Sequence, residues 1–368
     1  MRRLSGRAGK SRPLVLGGAA FTSGAVLLSV EIAASRVLAP YFGNSLFVWG
    51  ALIGVVLTGL SIGYWLGGLA ADRIPVPALM IAVMGLGALS VLAVPLVDES
   101  ILEAVVEWDP GPRANPLLAA VLLFGVPSVV LAAVTPIAVR LLARSMETLG
   151  ATAGRLFAIS TAGSIVGTFA TAFWLVPELG IDQLLAFAAA TLFLAATFFA
   201  VSERLWVLAL PVVVALVGST AAAFSLAPET GGRLSATAAR NWSPLYRRQS
   251  EGGRREPIDF GTGVDVVYRK QSRYHQIAVV DDADSRYLRF DSSFQSGMYL
   301  KQPFRTRFDY TDYLHLGLAY NPGARRMLFI GLGGASAPKR MWRDFPELRM
   351  EVAELDPDVV DVARRFFA

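Results

Sequence analysis

Arg326-Met327-Leu328-Phe329-Ile330-Gly331-Leu332-Gly333-Gly334-Ala335-Ser336 joins an apolar run to a tight glycine turn. The run follows Asn321-Pro322-Gly323, so it reads as a buried strand bounded by chain breakers. A helix is expected over Ala337–Asp344 and a second strand over Arg349–Glu354. A second helix is expected over about Asp358–Phe367, with Pro357 suited to its first turn. Strand, glycine turn, helix, strand and acid form the opening of a nucleoside-binding βαβ unit. Gly331, Gly333 and Gly334 let the backbone approach a ligand. Glu354, roughly 20 residues beyond the turn, is placed to accept both ribose hydroxyls. The spacing departs from G-x-G-x-x-G, because Ser336 holds the third position. That favours an S-adenosyl-type ligand, which has no pyrophosphate to cradle, over a dinucleotide. The bland alternative is an ordinary βα turn in an α/β domain.

Working outward, the 368 residues are 54% hydrophobic and 17% charged, too apolar for a soluble protein of this length. There is no Cys, which excludes disulfides, thiolate nucleophiles and Cys-based metal sites. His275 and His315 are the only imidazoles, and no metal site is expected. The net charge of +5 is carried mainly by Arg outside the apolar segments. It points to anionic lipid headgroups and not to nucleic acid.

About seven apolar segments have the length of a bilayer crossing. They run over Leu14–Leu38, Ser45–Ala70, Pro77–Val97, Pro116–Leu142, Thr152–Val176, Ile181–Val201 and Leu205–Leu226. A helical bundle over 1–226 satisfies its own backbone in lipid, so a multi-pass cell-membrane protein is expected. Gly59, Gly63 and Gly67, and Gly163 and Gly167, recur at spacings of four that permit close helix approach. General glycine enrichment of membrane helices explains them equally well. Glu31 and Arg36 fall in the last third of the first segment, on different helix faces. Snorkelling accounts for Arg36, and Glu31 stays open between snorkelling and a functional polar group. Arg and Lys cluster at the N-terminus and in alternate loops, whereas the Asp98–Asn115 loop is acidic, so the N-terminus is expected to be cytoplasmic. Seven crossings would then put the C-terminal end outside, where an adenosyl cofactor is scarce. Those two expectations conflict.

A basic polar linker is expected over 227–262, with arginines suited to lipid phosphates. Val264–Lys270, Gln276–Val280 and Tyr287–Phe290 read as strands of a small antiparallel sheet within 263–322. Asp281-Asp282-Ala283-Asp284 is their turn, and Asp309–Tyr320 reads as a helix. The fold class expected is thus a multi-span α-helical membrane bundle, a small antiparallel β region, and the start of an α/β Rossmann-like domain of class I methyltransferase type over 323–368.

With hairpins and glycine turn together, the chain resembles the membrane-attached spermidine synthase-like family, polyamine aminopropyltransferases fused to a multi-span region. Ser272-Arg273-Tyr274-His275-Gln276-Ile277 resembles the family's first hairpin, and Leu288-Arg289-Phe290-Asp291 through Gln295 its second. Tyr310-Thr311-Asp312 resembles its Tyr-His-Glu segment, and Glu354-Leu355-Asp356 its acidic ribose clamp. The stretches Glu31–Gly43 and Gly59–Arg73 resemble the fused membrane region, the latter also a major-facilitator half. The resemblance implies decarboxylated S-adenosylmethionine as co-substrate, held by Gly331, Gly333, Gly334, Glu354, Asp356 and His275. It implies a polyamine such as putrescine near Gln295 and Tyr310. The lipid bilayer is the other expected partner, and a homo-oligomer is compatible with the sequence.

The chain departs from the family pattern. The family has Gln where His275 stands, His where Thr311 stands and Asp where Gly334 stands, which puts the amine substrate in question. Its adenine-contacting segment and proton-accepting Asp follow later strands, whereas this sequence stops at Ala368. The expectation is a fragment, or a product that lost its catalytic end, with no catalytic residue assignable and no activity as it stands. Two other classes remain open: a transporter-like or scaffold membrane protein with a vestigial C-terminal domain, and another S-adenosylmethionine-dependent transferase.

Overall fold

The structure is a computed structural model that describes residues 12–143, 145–225, 232–234, 264–282 and 284–368. The basic N-terminal stretch, most of the expected linker, and Ala283 of the expected turn lie outside the described residues. The chain divides into two compact units, Met1–Leu38 with Asn44–Ala227, and Ala39–Gly43 with Pro228–Ala368.

The first unit is helical: α1 (Arg12–Phe42), α2 (Leu46–Arg73), α3 (Pro77–Trp108), α4 (Ala114–Leu142), α5 (Leu149–Ala170), α6 (Ile181–Ser202) and α7 (Trp206–Ser225). A π turn over Thr171–Leu175 and a short helical piece, Val176–Glu178, extend α5. Helices α1 to α6, counting that extension of α5, are long and apolar enough to cross a membrane. Helix α7 coincides with the seventh expected crossing: it runs for 20 residues, about the length a crossing needs, of which Trp206–Gly218 is apolar among the described residues. The acidic loop expected from Asp98 is shorter than expected. Helix α3 continues to Trp108, because Leu102, Val105 and Val106 form an apolar stripe that is buried.

The glycines explain how these helices pack. A side chain at Gly59, Gly63 or Gly67 would run into Ser128, Val129, Ala132 or Ala133 of α4. One at Gly163 or Gly167 would meet the backbone of Phe21 or Ala25 in α1. Close backbone approach, rather than general enrichment, is what these positions serve.

The second unit opens with six antiparallel strands in sequential order: β1 (Gly232–Leu234), β2 (Val264–Gln271), β3 (Gln276–Asp281), β4 (Ser285–Phe290), β5 (Ser293–Tyr299) and β6 (Gln302–Thr306). The expected strands are present, and β5 and β6 extend the sheet. The expected helix over Asp309–Tyr320 is two short pieces, α8 (Tyr310–Tyr313) and α9 (Leu316–Tyr320).

Then come β7 (Arg326–Ile330), α10 (Ser336–Asp344), β8 (Arg349–Ala353) and α11 (Pro357–Phe366). Strands β7 and β8 pair in parallel, from Arg326 with Arg349 to Ile330 with Ala353. Helix α11 begins as its residues dictate: Asp356 caps it through Asp358 N at 3.0 Å, and Pro357 occupies the first turn. Its Val359 and Val362, with Phe367 just beyond it, are buried against Tyr268, Ile277, Val279, Leu288 and Met298 of the antiparallel sheet. Each such side chain contributes roughly 1.5–3 kcal/mol by leaving water. The expectation that β7 is a buried strand is corrected. Leu328 is 61% exposed and Ile330 is 89% exposed. A pair of parallel strands has too little cover to bury both of its faces.

Candidate functional site

The glycine turn between β7 and α10 holds its shape through positive backbone angles. Gly331 has φ +94° and Gly333 φ +53°, and Ala335 adopts the left-handed region at φ 56°. Gly334 is excluded from carrying a side chain for a different reason. A Cβ there would lie 2.9 Å from Ser296 Cβ and 3.0 Å from the Phe367 ring. Gly334 N donates to Ser296 Oγ at 2.9 Å, which ties the turn to β5.

Glu354 follows β8 and reaches back to the same turn. Its Oε2 accepts Leu332 N at 2.7 Å and its Oε1 accepts Asp356 N at 3.0 Å. Two backbone donors thus fix the carboxylate, and its remaining lone pairs can accept further donors. Beside it lies a cavity of about 710 Å³. Its walls are Leu332, Lys339 and Trp342 from the turn and α10, Val352 and Glu354 from the β8 end, and Val360 and Phe367 from the α11 region. Mostly apolar walls, with Glu354, Lys339 and Arg364 as their charged side chains, suit a flat aromatic group attached to a hydroxylated sugar.

Of the residues expected from sequence, Glu354 lines this cavity, and Gly331, Gly333 and Gly334 form the turn that its carboxylate braces. Asp356 does not join them. It is 4% exposed and caps α11. His275 lies elsewhere on the sheet, stacked on Phe290 with ring centroids 4.9 Å apart, its Nδ1 3.6 Å from Asp291. Gln295 and Tyr310 meet each other through the Tyr310 hydroxyl, which donates to Gln295 O at 2.9 Å. They are not among the cavity walls, although Gln295 is next to Ser296. Thr311 is buried, and its hydroxyl donates to Phe308 O at 2.8 Å in a local turn.

Two residues of the site escaped the sequence reading. Ser296 anchors the glycine turn, and Lys339 forms part of the cavity wall. Lys339 Nζ donates to Phe367 O at 2.7 Å and lies 3.2 Å from Met298 Sδ. Burial pushes its ammonium down to about 8.

The chain is similar to a polyamine aminopropyltransferase of Vibrio vulnificus (strain CMCP6), with 35% identity over 116 residues. The match takes in 30% of this chain and 38% of the Vibrio protein, so the chain spans about two fifths of that relative's length. No family model matches the chain. No solved structure matches it.

Proposed function

We propose that the C-terminal unit is the donor-binding part of an aminopropyltransferase of spermidine synthase type, carried by a protein with a membrane bundle. The observation that carries the reading is the Glu354 carboxylate braced against the glycine turn at the rim of the cavity. The similarity to the Vibrio aminopropyltransferase supports it. The donor is decarboxylated S-adenosylmethionine, and the acceptor is a polyamine such as putrescine. Glu354 accepts the ribose hydroxyls, Gly331 and Gly333 give backbone access, and Trp342, Val352 and Phe367 offer apolar surface to the base.

The chemistry asks for alignment more than activation. A neutral amine attacks the methylene carbon next to the sulfonium. The carbon–sulfur bond breaks with its electron pair going to sulfur, which leaves 5′-methylthioadenosine. The amine proton passes to a base, and no carboxylate among the described residues is assigned that task.

Lys339 favours a second reading. A lysine in the cavity wall suits a ligand that keeps its carboxylate, hence S-adenosylmethionine itself and a different transfer. Calorimetric titration of the full chain in detergent separates the two. Decarboxylated S-adenosylmethionine binding more tightly than S-adenosylmethionine supports the first reading, and the reverse order supports the second. Glu354→Ala should weaken either donor roughly 10- to 100-fold, the worth of a hydrogen bond to a charged group. Unchanged affinity in that variant removes the cavity as the donor site.

A further inference from the structure

Helices α1, α2, α4 and α5 enclose a second cavity, wholly inside the helical unit, of about 150 Å³. That volume is room for roughly five water molecules. Its polar lining is made of hydroxyls. Ser23 Oγ donates to Leu131 O at 2.6 Å, Ser164 Oγ to Gly24 O at 3.1 Å, and Thr135 Oγ1 to Ser160 Oγ at 3.3 Å. A hydroxyl has one proton, and these three have committed theirs to the protein. They can offer an occupant only lone pairs. Ser23 and Thr135 are each 2% exposed, so they are built into the bundle and do not decorate its surface.

The rest of the wall narrows the chemistry. Leu27, Leu60 and Leu131 supply apolar surface, and Tyr64 adds an aromatic ring. Glu31 stands four residues beyond Leu27 and seven beyond Gly24, on the same face of α1 and roughly 6 Å further along its axis. It forms no ion pair among the described residues. An anion would find the hydroxyl protons of Ser160, Thr161 and Tyr64 but no cationic side chain in the wall, and it would face the carboxylate of Glu31 along α1, so the charge balance favours a cation. A bare metal ion needs six or more oxygens at close range and gains nothing from leucines. A cation with an alkyl chain satisfies oxygens, aromatic ring and leucines together.

We propose that this cavity binds a linear alkylammonium ion, with its ammonium among the hydroxyl oxygens, its carbons on the leucines and Glu31 as countercharge. The proposal stands on the bundle alone and does not depend on the donor site in the C-terminal unit. It gives Glu31 the functional role that the sequence left open.

The test uses the full chain in nanodiscs of zwitterionic lipid, with radiolabelled 1,4-diaminobutane as probe and n-butylammonium, 1,4-butanediol and Na⁺ as competitors. Saturable binding displaced by n-butylammonium, and not by the diol or Na⁺, is expected. Glu31→Gln should weaken binding at least tenfold, and Ser164→Ala severalfold. Thr161→Val, at the mouth of the cavity, changes shape little and checks the site without disturbing Glu31. It should also weaken binding, with the variant eluting as a single species like the parent. Absence of saturable binding, equal displacement by the diol, or binding unchanged in both Glu31→Gln and Thr161→Val would each overturn the proposal. The last outcome would put the amine outside the bundle cavity.

Discussion

The Glu354 carboxylate accepts the backbone N–H of Leu332 at 2.7 Å, across a separation of 22 residues. The same side chain accepts Asp356 N at 3.0 Å. One acid therefore locks the glycine turn to the end of β8 before any ligand arrives. Replacing it leaves two backbone donors short of a partner, at a cost of about 1–3 kcal/mol if water does not replace the acid. Hydrogen exchange followed by mass spectrometry should show the Leu332 and Asp356 amides exchanging faster in Glu354→Ala. The amides of β3 and β4 should be unaffected. Equal protection at Leu332 in the two proteins would mean that the turn holds itself.

Gly334 has no space for a side chain. Its missing Cβ would lie 2.9 Å from Ser296 Cβ and 3.0 Å from Phe367 Cδ1. The resemblance to the spermidine synthase-like family would put Asp at this position, and the contact leaves no room for one here. Gly334→Asp should destabilise the C-terminal unit by about 1–3 kcal/mol through overpacking. Ser296→Gly in the same chain should recover part of that loss, because it removes one of the two obstructing groups. Urea unfolding monitored at Trp342 measures both. A Gly334→Asp protein as stable as the parent would contradict the crowding.

Phe367 is fully buried against the antiparallel sheet and also forms a wall of the large cavity. Phe367→Ala should therefore act twice. It should cost roughly 3–5 kcal/mol of stability, the usual range for removing a buried phenylalanine. It should also weaken donor binding at temperatures where the unit is still folded. Stability loss with unchanged donor affinity would show that the ring serves packing alone.

The bundle makes a topological prediction. Six crossings by α1 to α6 would return the chain to the side on which it began, whereas a seventh by α7 would leave the C-terminal unit on the opposite side. Cysteines introduced at Arg73 and Lys301 should react with an impermeant reagent from the same side of sealed vesicles, and one at Glu107 from the other. Labelling of Lys301→Cys together with Glu107→Cys would show that α7 also crosses.

What could be read in advance follows from how locally each feature is encoded. The long helices are written in continuous apolar sequence, and the start of α11 in Asp356-Pro357, so both were legible. Strand β5 was not. Ser293-Phe294-Gln295-Ser296-Gly297-Met298-Tyr299 shows no regular apolar–polar alternation, and its place is fixed by pairing with β4. The roles of Ser296 and Lys339 depend on contacts to Gly334 and Phe367, 38 and 28 residues away, which no local pattern reports. Asp356 carries a local role that its motif did not report: the nearby backbone N–H of Asp358 donates to its Oδ1 and so starts α11.

Lys339 gives the last prediction, and its sign follows from which state holds the proton. Burial lowers its pKa from 10.5 to about 8. Below about 8 the ammonium is charged in both folded and unfolded chains, and the folded chain bears the full penalty of burying it. Between about 8 and 10.5 the unfolded chain keeps the proton and the folded chain does not. Stability must then rise with pH across that window. Above it both states are neutral and the penalty is gone. The side chain is partly open to solvent, so the gain is smaller than the shift alone implies. Other lysines and tyrosines titrate in the same range, which makes the difference between the parent and Lys339→Met the quantity to follow. Melting temperatures measured from pH 7.5 to 10 should show the parent gaining on the variant as pH rises. A difference that stays constant over that range would mean that Lys339 keeps its charge in the folded chain, held by Phe367 O strongly enough to offset its burial.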